Sequence, residues 1–223
     1  MYSGTKRFFD IITSLLALLV LSPFFIIIII ILRFTGEGEV FYRQQRVGFR
    51  NKEFGIWKFA TMVKNSSKMG AGDVTLRNDS RVTNVGRFLR ITKINELPQL
   101  INILTGDMSF VGPRPLMPDG FNRYSDHHRQ HVYNVPPGLT GIGSIVFRDE
   151  EIIVSNSSLS PHECYTQVIM PYKGELELWY QKNAGFITDL QLLLLTIWYI
   201  FNPSSNLVYK VFRDLPKREL QPV

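Results

Sequence analysis

Residues Ile11–Leu32 read IITSLLALLVLSPFFIIIIIIL, with no charge and a single proline, Pro23. At ~1.5 Å of rise per residue, a run of about 22 residues is long enough to cross a hydrocarbon core of roughly 30 Å. A secretory signal has a shorter apolar core, ~7–15 residues, closed by a small-residue cleavage site. Here the run continues into Leu32-Arg33-Phe34-Thr35-Gly36, which offers no such site, so the segment is expected to stay in the chain. Pro23 has no backbone donor and crowds the carbonyl four residues back, which kinks or breaks a helix. Ser22 beside it can help satisfy a freed carbonyl. Two readings follow: a kinked spanning helix, or a helix–break–helix that enters and leaves on one face. Lys6 and Arg7 precede the run, and Arg33, Arg43, Arg46, Arg50 and Lys52 follow it. Positive charge on both flanks favours moving neither across, so re-entry is the expected arrangement.

Outside this run the chain is a globular mix. With 223 residues, 45% of them hydrophobic, it fits one ordinary domain plus a membrane element. The net charge of +6 suits anionic headgroups or phosphorylated substrates at a membrane surface. No nucleic-acid motif accompanies it, so nucleic acid is not expected as a partner. The one cysteine, Cys164, excludes an intrachain disulfide and fits a reducing, cytosolic face. No G-x-G-x-x-G, G-x-x-x-x-G-K-[ST] or G-x-S-x-G loop occurs, so nucleotide chemistry would have to use other groups. The expected division is a membrane helix over 1–33, a catalytic domain over 34–186, and an interfacial helix with a basic tail over 187–223.

Glu39–Tyr42 and Phe54–Phe59 are rich in aromatic and β-branched residues around a turn-rich Arg46–Asn51, which predicts a hairpin. Lys64–Arg81 reads as a loop. Asn84 as a cap, with Val85, Phe88 and Leu89 at helical spacing, predicts a helix carrying Arg87 and Arg90 on another side. A further helix is expected from Asn95-Glu96-Leu97-Pro98, with a stripe of Leu97, Leu100, Ile101 and Leu104 and a stop at Gly106. Asp107–Pro115 is then a rigid loop with Arg114 held between two prolines. Phe121–Val132 is expected to be helical. Its His127 and His131, four apart, could suit a metal, but a solvated helix face is the better reading because no third ligand has a matching spacing. Ile187–Phe201 is apolar but too short to span comfortably, and reads as an interfacial helix or a buried core helix. The tail carries Lys210, Arg213, Lys217 and Arg218.

The chemistry concentrates between Arg90 and Arg114. Helix N-termini favour anions through free amides and dipole. Arg87, Arg90, Lys93 and Arg114 could neutralise phosphates, arginine by bidentate contact. Glu96 could hold Mg²⁺, which usually takes one or two carboxylates and the substrate's own phosphates. Positive charge, metal and position are the minimum for phosphoryl transfer. By residue type alone, Asn95 and Glu96 also read as a helix cap and a first-turn acid.

Motifs in one order narrow this. They are Lys6–Asp10, the apolar run with Ser22-Pro23, Val40–Gly48, Lys58-Phe59, Asp79–Thr83, Gly86–Arg90, Glu96–Asn102 and Gly106–Pro115. Together they resemble the bacterial sugar transferase family, the monotopic polyprenyl-phosphate phosphoglycosyl transferases, over nearly the whole chain. The resemblance implies an α+β, mostly helical fold: a re-entrant N-terminal membrane helix broken at Ser22-Pro23, a small cytosolic catalytic domain and amphipathic interfacial helices. It implies transfer of a sugar 1-phosphate from a UDP-sugar to undecaprenyl phosphate with release of UMP. Mg²⁺ is the implied cofactor, a phospholipid membrane the implied partner, and the cytosolic face of a bacterial inner membrane the implied location. This would be the first membrane step in making capsule, exopolysaccharide, O-antigen or glycoprotein glycans. Apolar tracts could also support a homodimer. Carried over residue by residue, Ser22 and Pro23 match the helix break, Lys58 the lysine of a K-F-R-S-M segment, Arg90 and Arg114 the anion-binding arginines, and Glu96 the metal-binding half of an Asp-Glu dyad. The dyad's aspartate, the family's nucleophile toward the β-phosphate, is Asn95 here. A neutral amide is a poor nucleophile and lends no charge to a metal. That leaves a disabled or trapped site, a shifted mechanism in which Glu96 or the acceptor phosphate attacks, or a silent relative that binds the same ligands and scaffolds the pathway. Asn95 would still cap its helix as aspartate does. Ala60-Thr61-Met62 stands in place of Arg-Ser-Met, and Ile142–Glu151 replaces the common W-A-Q-V-N-G-R after Pro137–Gly141. The second difference is expected to bear on the choice of sugar.

Overall fold

A computed structural model describes residues 2–66 and 79–217. Most of the expected 64–81 loop, and Arg218 of the tail, lie outside them. The elements run in order α1 (Tyr2–Phe34), β1 (Phe41–Val47), β2 (Glu53–Phe59), α2 (Asn84–Ile91), a 3-10 turn (Ile94–Glu96), α3 (Gln99–Thr105), β3 (Ser109–Val111), α4 (Pro118–Phe121), α5 (Asp126–His131), β4 (Gly138–Thr140), α6 (Ile142–Val146), α7 (Glu150–Ser155), α8 (Pro161–Cys164), a π-helical turn (Tyr165–Ile169), α9 (Met170–Asn183), α10 (Phe186–Phe201) and α11 (Leu207–Val211). The chain is thus mostly helical, with two small two-stranded sheets among the described residues. These elements form two compact units: one of residues 1–10, 45–54 and 106–223, the other of residues 11–44 and 55–105.

The unit of residues 11–44 and 55–105 holds most of α1. The helix is continuous through Pro23. Proline at this position removes the donor that would have met the Leu19 carbonyl. The Ser22 hydroxyl donates to that same carbonyl at 2.8 Å, so the group freed by Pro23 has a partner. Leu15, Leu16, Leu19, Val20, Ile26, Ile27, Ile30 and Ile31 are exposed, while Ile28 and Leu32 are buried. Those two meet Phe59 of β2 and Leu89 of α2 in a small core, edged by Phe25, Ile29, Val40, Val85 and Ile94. Among the described residues, α1 is the one helix long and apolar enough to cross a membrane. Asn102 ties α3 to the strand: its Nδ2 donates to the Gly55 carbonyl at 2.9 Å and its Oδ1 accepts the Trp57 amide at 2.8 Å.

The other unit is built on α9 and α10. Leu176 and Tyr180 of α9 and Leu192, Leu195 and Tyr199 of α10 pack with Val111, Ile142, Ile145, Cys164 and Ile169. A second cluster joins Val47, Tyr124, Val132, Tyr133 and Met170. Strands β3 and β4 pair in parallel, Ser109 opposite Gly138 and Val111 opposite Thr140. Backbones come unusually close there. A side chain on Gly138 would put its Cβ 2.1 Å from the Gly112 nitrogen, so only glycine lets the strand approach the turn that precedes Arg114. The hairpin tip docks through main-chain bonds, Val47 N–H to the Leu116 carbonyl at 2.8 Å and Arg50 N–H to that of Tyr133 at 2.7 Å. Lys6 forms an ion pair with Asp189, whose carboxylate also accepts the Tyr180 hydroxyl at 2.7 Å. The apolar segment expected at 187–201 is α10, and one of its faces is buried in the core. Leu192, Leu195 and Tyr199 are core, whereas Ile187, Leu190, Leu194, Ile197, Trp198 and Phe201 face outward.

Candidate functional site

In the unit that carries α1, β2 ends on the residues that chemistry needs. Lys58 projects its ammonium to within 3.9 Å of a Glu96 carboxylate oxygen, and both side chains are mostly buried. Charge placed in such a setting is felt more strongly than in water. Two expectations about local structure are corrected here. The cap of α2 is Thr83, not Asn84: its hydroxyl accepts the Gly86 amide at 2.9 Å. Asn95 caps no helix either. It lies inside the 3-10 turn Ile94–Glu96, entered from Lys93 in the left-handed region at φ 60°, and α3 starts only at Gln99. Pro98 delays that start, since the residue before a proline is poorly suited to extend a helix. The Asn95 side chain is buried, and its Oδ1 has no hydrogen-bond partner. Buried polar atoms are rarely left this way without a functional reason.

Arg90, near the end of α2, donates from Nε to the Thr61 hydroxyl at 2.8 Å. Half-burial lowers its pKa from the usual arginine value, an effect that nearby Asp79 opposes and Arg81 adds to. Thr61 thus retains the hydroxyl function of the serine expected at that position. Arg87 is exposed on the same helix. Behind them, Arg81 grips Asp79 through two guanidinium nitrogens, at 2.9 and 2.6 Å, and donates to the Ser66 carbonyl at 2.8 Å. The motif Asp79–Thr83 suggests no task for its members from residue types alone. The structure makes Asp79 and Arg81 a buried brace, a pairing that two opposite charges two residues apart could have suggested.

Arg114 belongs to the other unit and is described there. Its side chain is exposed between the two prolines, and its carbonyl accepts the Tyr133 hydroxyl at 2.8 Å. The same hydroxyl accepts the Leu116 amide at 2.9 Å, so Tyr133 clamps both ends of the turn. Burial raises the Tyr133 pKa, keeping the clamp protonated. The expected set therefore divides: Lys58, Arg87, Arg90, Asn95 and Glu96 in one unit, Arg114 in the other.

The family's divalent cation can be tested against these groups. Among the described residues no cluster of three or more His, Cys, Asp or Glu side chains forms a metal cage. Glu96 offers one carboxylate and Asn95 a buried carbonyl oxygen without a partner. A cation that takes one or two protein oxygens and completes its shell with substrate phosphates and water fits such a sparse donor set. The His127 and His131 rings lie 4.7 Å apart and tilted on α5, with His131 Nδ1 on the His127 carbonyl at 2.7 Å.

An apolar N-terminal helix on a mostly helical body is the architecture of a membrane-associated protein. The chain belongs to the bacterial sugar transferase family, whose model matches residues 1–203. It is 38% identical to an undecaprenyl-phosphate glucose phosphotransferase of Komagataeibacter xylinus, over 86% of this chain but 35% of that protein. It is 34% identical to an undecaprenyl-phosphate galactose phosphotransferase of Salmonella typhimurium, over 86% of this chain and 39% of that protein. With the exopolysaccharide production protein ExoY of Sinorhizobium fredii it shares 31% identity over 86% of this chain and 84% of that protein. The chain thus spans between a third and two fifths of the two phosphotransferases and most of ExoY.

Proposed function

We propose that this protein transfers a sugar 1-phosphate from a UDP-sugar to undecaprenyl phosphate, releasing UMP, at the cytosolic face of a bacterial inner membrane. The observation that carries this reading is the buried Lys58–Glu96 pair on the turn that holds Asn95, in a chain matched almost end to end by the family. The relatives' names supply the acceptor. Arg90, oriented by Thr61, and the exposed Arg87 bind phosphate oxygens in one unit, and Arg114 offers the same chemistry in the other. Lys58 holds the Glu96 carboxylate in place. Mg²⁺, held by Glu96 with the Asn95 carbonyl oxygen, would supply charge neutralisation on the diphosphate. Segment 142–151 bears on the choice of sugar.

Membrane attachment follows from α1, read as re-entrant. Support comes from Pro23, from the Ser22 hydroxyl on the orphaned Leu19 carbonyl, and from basic residues on both flanks. The outward apolar face of α10 lies in the headgroup zone.

Asn95 favours a second reading, a silent relative that binds donor and acceptor and scaffolds the pathway. The two separate in one assay. Protein in nanodiscs is given undecaprenyl phosphate, Mg²⁺ and a panel of UDP-sugars, and UMP is measured. Acceptor-dependent UMP release that falls about 100-fold or more in Glu96→Gln is expected for the transferase. No release from the natural chain, with release restored by Asn95→Asp, establishes the silent form. No release from either overturns the transferase reading.

A further inference from the structure

In the unit that contains Arg114, α6, the start of α7, the end of α10 and α11 enclose a cavity of about 260 Å³. Its floor is apolar, with Ile145, Tyr199 and Val208 buried. Its rim carries opposite charges on consecutive residues, Arg148 and Asp149, both exposed. The Arg148 guanidinium is held in place: Nη1 donates to the Tyr199 carbonyl in the last turn of α10, leaving its other nitrogens open to the cavity side. Asp149 precedes α7, yet its carboxylate caps no helix amide and joins no ion pair among the described residues. A charge that neither caps nor pairs is available to a ligand. Beside the cavity, the last turns of α10 expose Ile197, Trp198, Ile200 and Phe201. Trp198 is tied to the cavity wall, since its Nε1 donates to the Ser205 hydroxyl at 3.2 Å. An exposed tryptophan with its N–H satisfied on a polar wall and its ring among apolar neighbours suits a membrane–water boundary.

We propose that this cavity binds the headgroup of a zwitterionic phospholipid that carries a primary ammonium, a phosphoethanolamine group drawn from the surrounding bilayer. The proposal rests on the reading of α10 as lying in the headgroup zone. Arg148 takes the phosphate and Asp149 accepts an N–H of the ammonium, both charge-assisted bonds. The apolar end of α10 then runs beside the glycerol and the first acyl carbons. An anionic headgroup without the ammonium would bring a phosphate up to Asp149 uncompensated. A choline headgroup keeps the positive charge but offers the carboxylate no N–H. Size argues against a whole nucleotide sugar, because pockets that enclose ligands of that class run to about 300–1,000 Å³.

The test is which lipid the full chain retains when released from nanodiscs of equal parts phosphatidylethanolamine, phosphatidylcholine and phosphatidylglycerol, read by native mass spectrometry. Wild type is expected to retain phosphatidylethanolamine about tenfold over either of the others. Arg148→Gln is expected to lose that retention, and Asp149→Asn to keep a bound lipid while losing the preference over phosphatidylcholine. A wild type without preference overturns the proposal. So does a preference unchanged in both variants, which would belong to lipid around α1. Displacement of the retained lipid by UDP-glucose assigns the cavity to the sugar donor and also overturns it. Should Arg148→Gln fail to fold, Asp149→Asn, which removes no bond of the folded chain, decides alone. The underlying reading of α10 is tested separately, by quenching of Trp198 fluorescence with lipids brominated near the glycerol, taken as the difference from Trp198→Phe. Quenching is expected. Its absence removes α10 from the headgroup zone and the proposal with it, whereas quenching without a headgroup preference overturns the proposal alone.

Discussion

At the scale of single residues, the site is defined by what is left unsatisfied or half-satisfied. Asn95 keeps a buried carbonyl oxygen without a donor, and Arg90 reaches Thr61 at a cost in desolvation. Thr61→Val keeps the volume and removes the acceptor. A hydrogen bond to a charged group is worth about 1.5–3 kcal/mol, so UDP-sugar affinity is expected to weaken roughly tenfold or more, read by calorimetry, with Thr61→Ser close to wild type. Glu177, buried on α9, yields a prediction about stability. Burial pushes its folded pKa up to about 7, above the unfolded glutamate value of about 4.3. The folded state therefore binds the extra proton between those values. The resulting stabilisation is complete below the unfolded pKa and is lost as pH rises through the folded one, with an upper bound of roughly 4 kcal/mol. Melting temperature should fall from about pH 5 to about pH 7.5 in wild type and fall less in Glu177→Gln. No residue-level signal in the sequence marks Glu177. It is one of several charged residues in 173–182, and the space that accepts it is provided by Gly143, distant in the chain.

At the scale of elements, legibility followed length and periodicity. The hairpin was readable because aromatic and β-branched residues bracket a turn-rich stretch, and β1 and β2 fall there. Helix α2 was readable from its apolar spacing, though its cap was placed one residue late. What escaped were elements too short to show a period: the 3-10 turn that holds Asn95 and Glu96, and the three-residue parallel pair β3–β4. Parallel pairing between residues far apart in the chain leaves no local pattern. It depends instead on glycines that let backbones touch. Gly138→Ala tests this dependence. The added methyl meets the Gly112 nitrogen at 2.1 Å, a contact that backbone movement alone can relieve. A loss of roughly 3 kcal/mol is expected, seen as a lowered melting temperature or loss of folded protein. Gly120→Ala, where the nearest atom is 3.7 Å away, serves as the tolerated control.

At the scale of the whole molecule, the question is how the chain meets the bilayer. The apolar run was legible at once, because a long uncharged stretch is the strongest pattern a sequence can carry. Its path was not, since one continuous helix through Pro23 can be accommodated by either route, and re-entry was argued from Pro23, the basic flanks and family likeness. Chemistry adds a reason. Under the proposed function a lipid phosphate must meet a water-soluble donor, so anchoring α1 from the cytosolic side would keep both its ends on the side of that donor. Cysteine labelling separates the routes. Cys164 is 1% exposed and should contribute little background. Gly4 has nothing within 4 Å of a built Cβ, so Gly4→Cys is sterically free, and Lys210→Cys on α11 reports the body from an exposed position. Applied to intact spheroplasts, an impermeant maleimide is expected to label neither, and to label both once the membrane is opened. Labelling of Gly4→Cys alone from outside would mean that α1 spans the bilayer, and the re-entrant reading would fall while the assignment of the site residues stood.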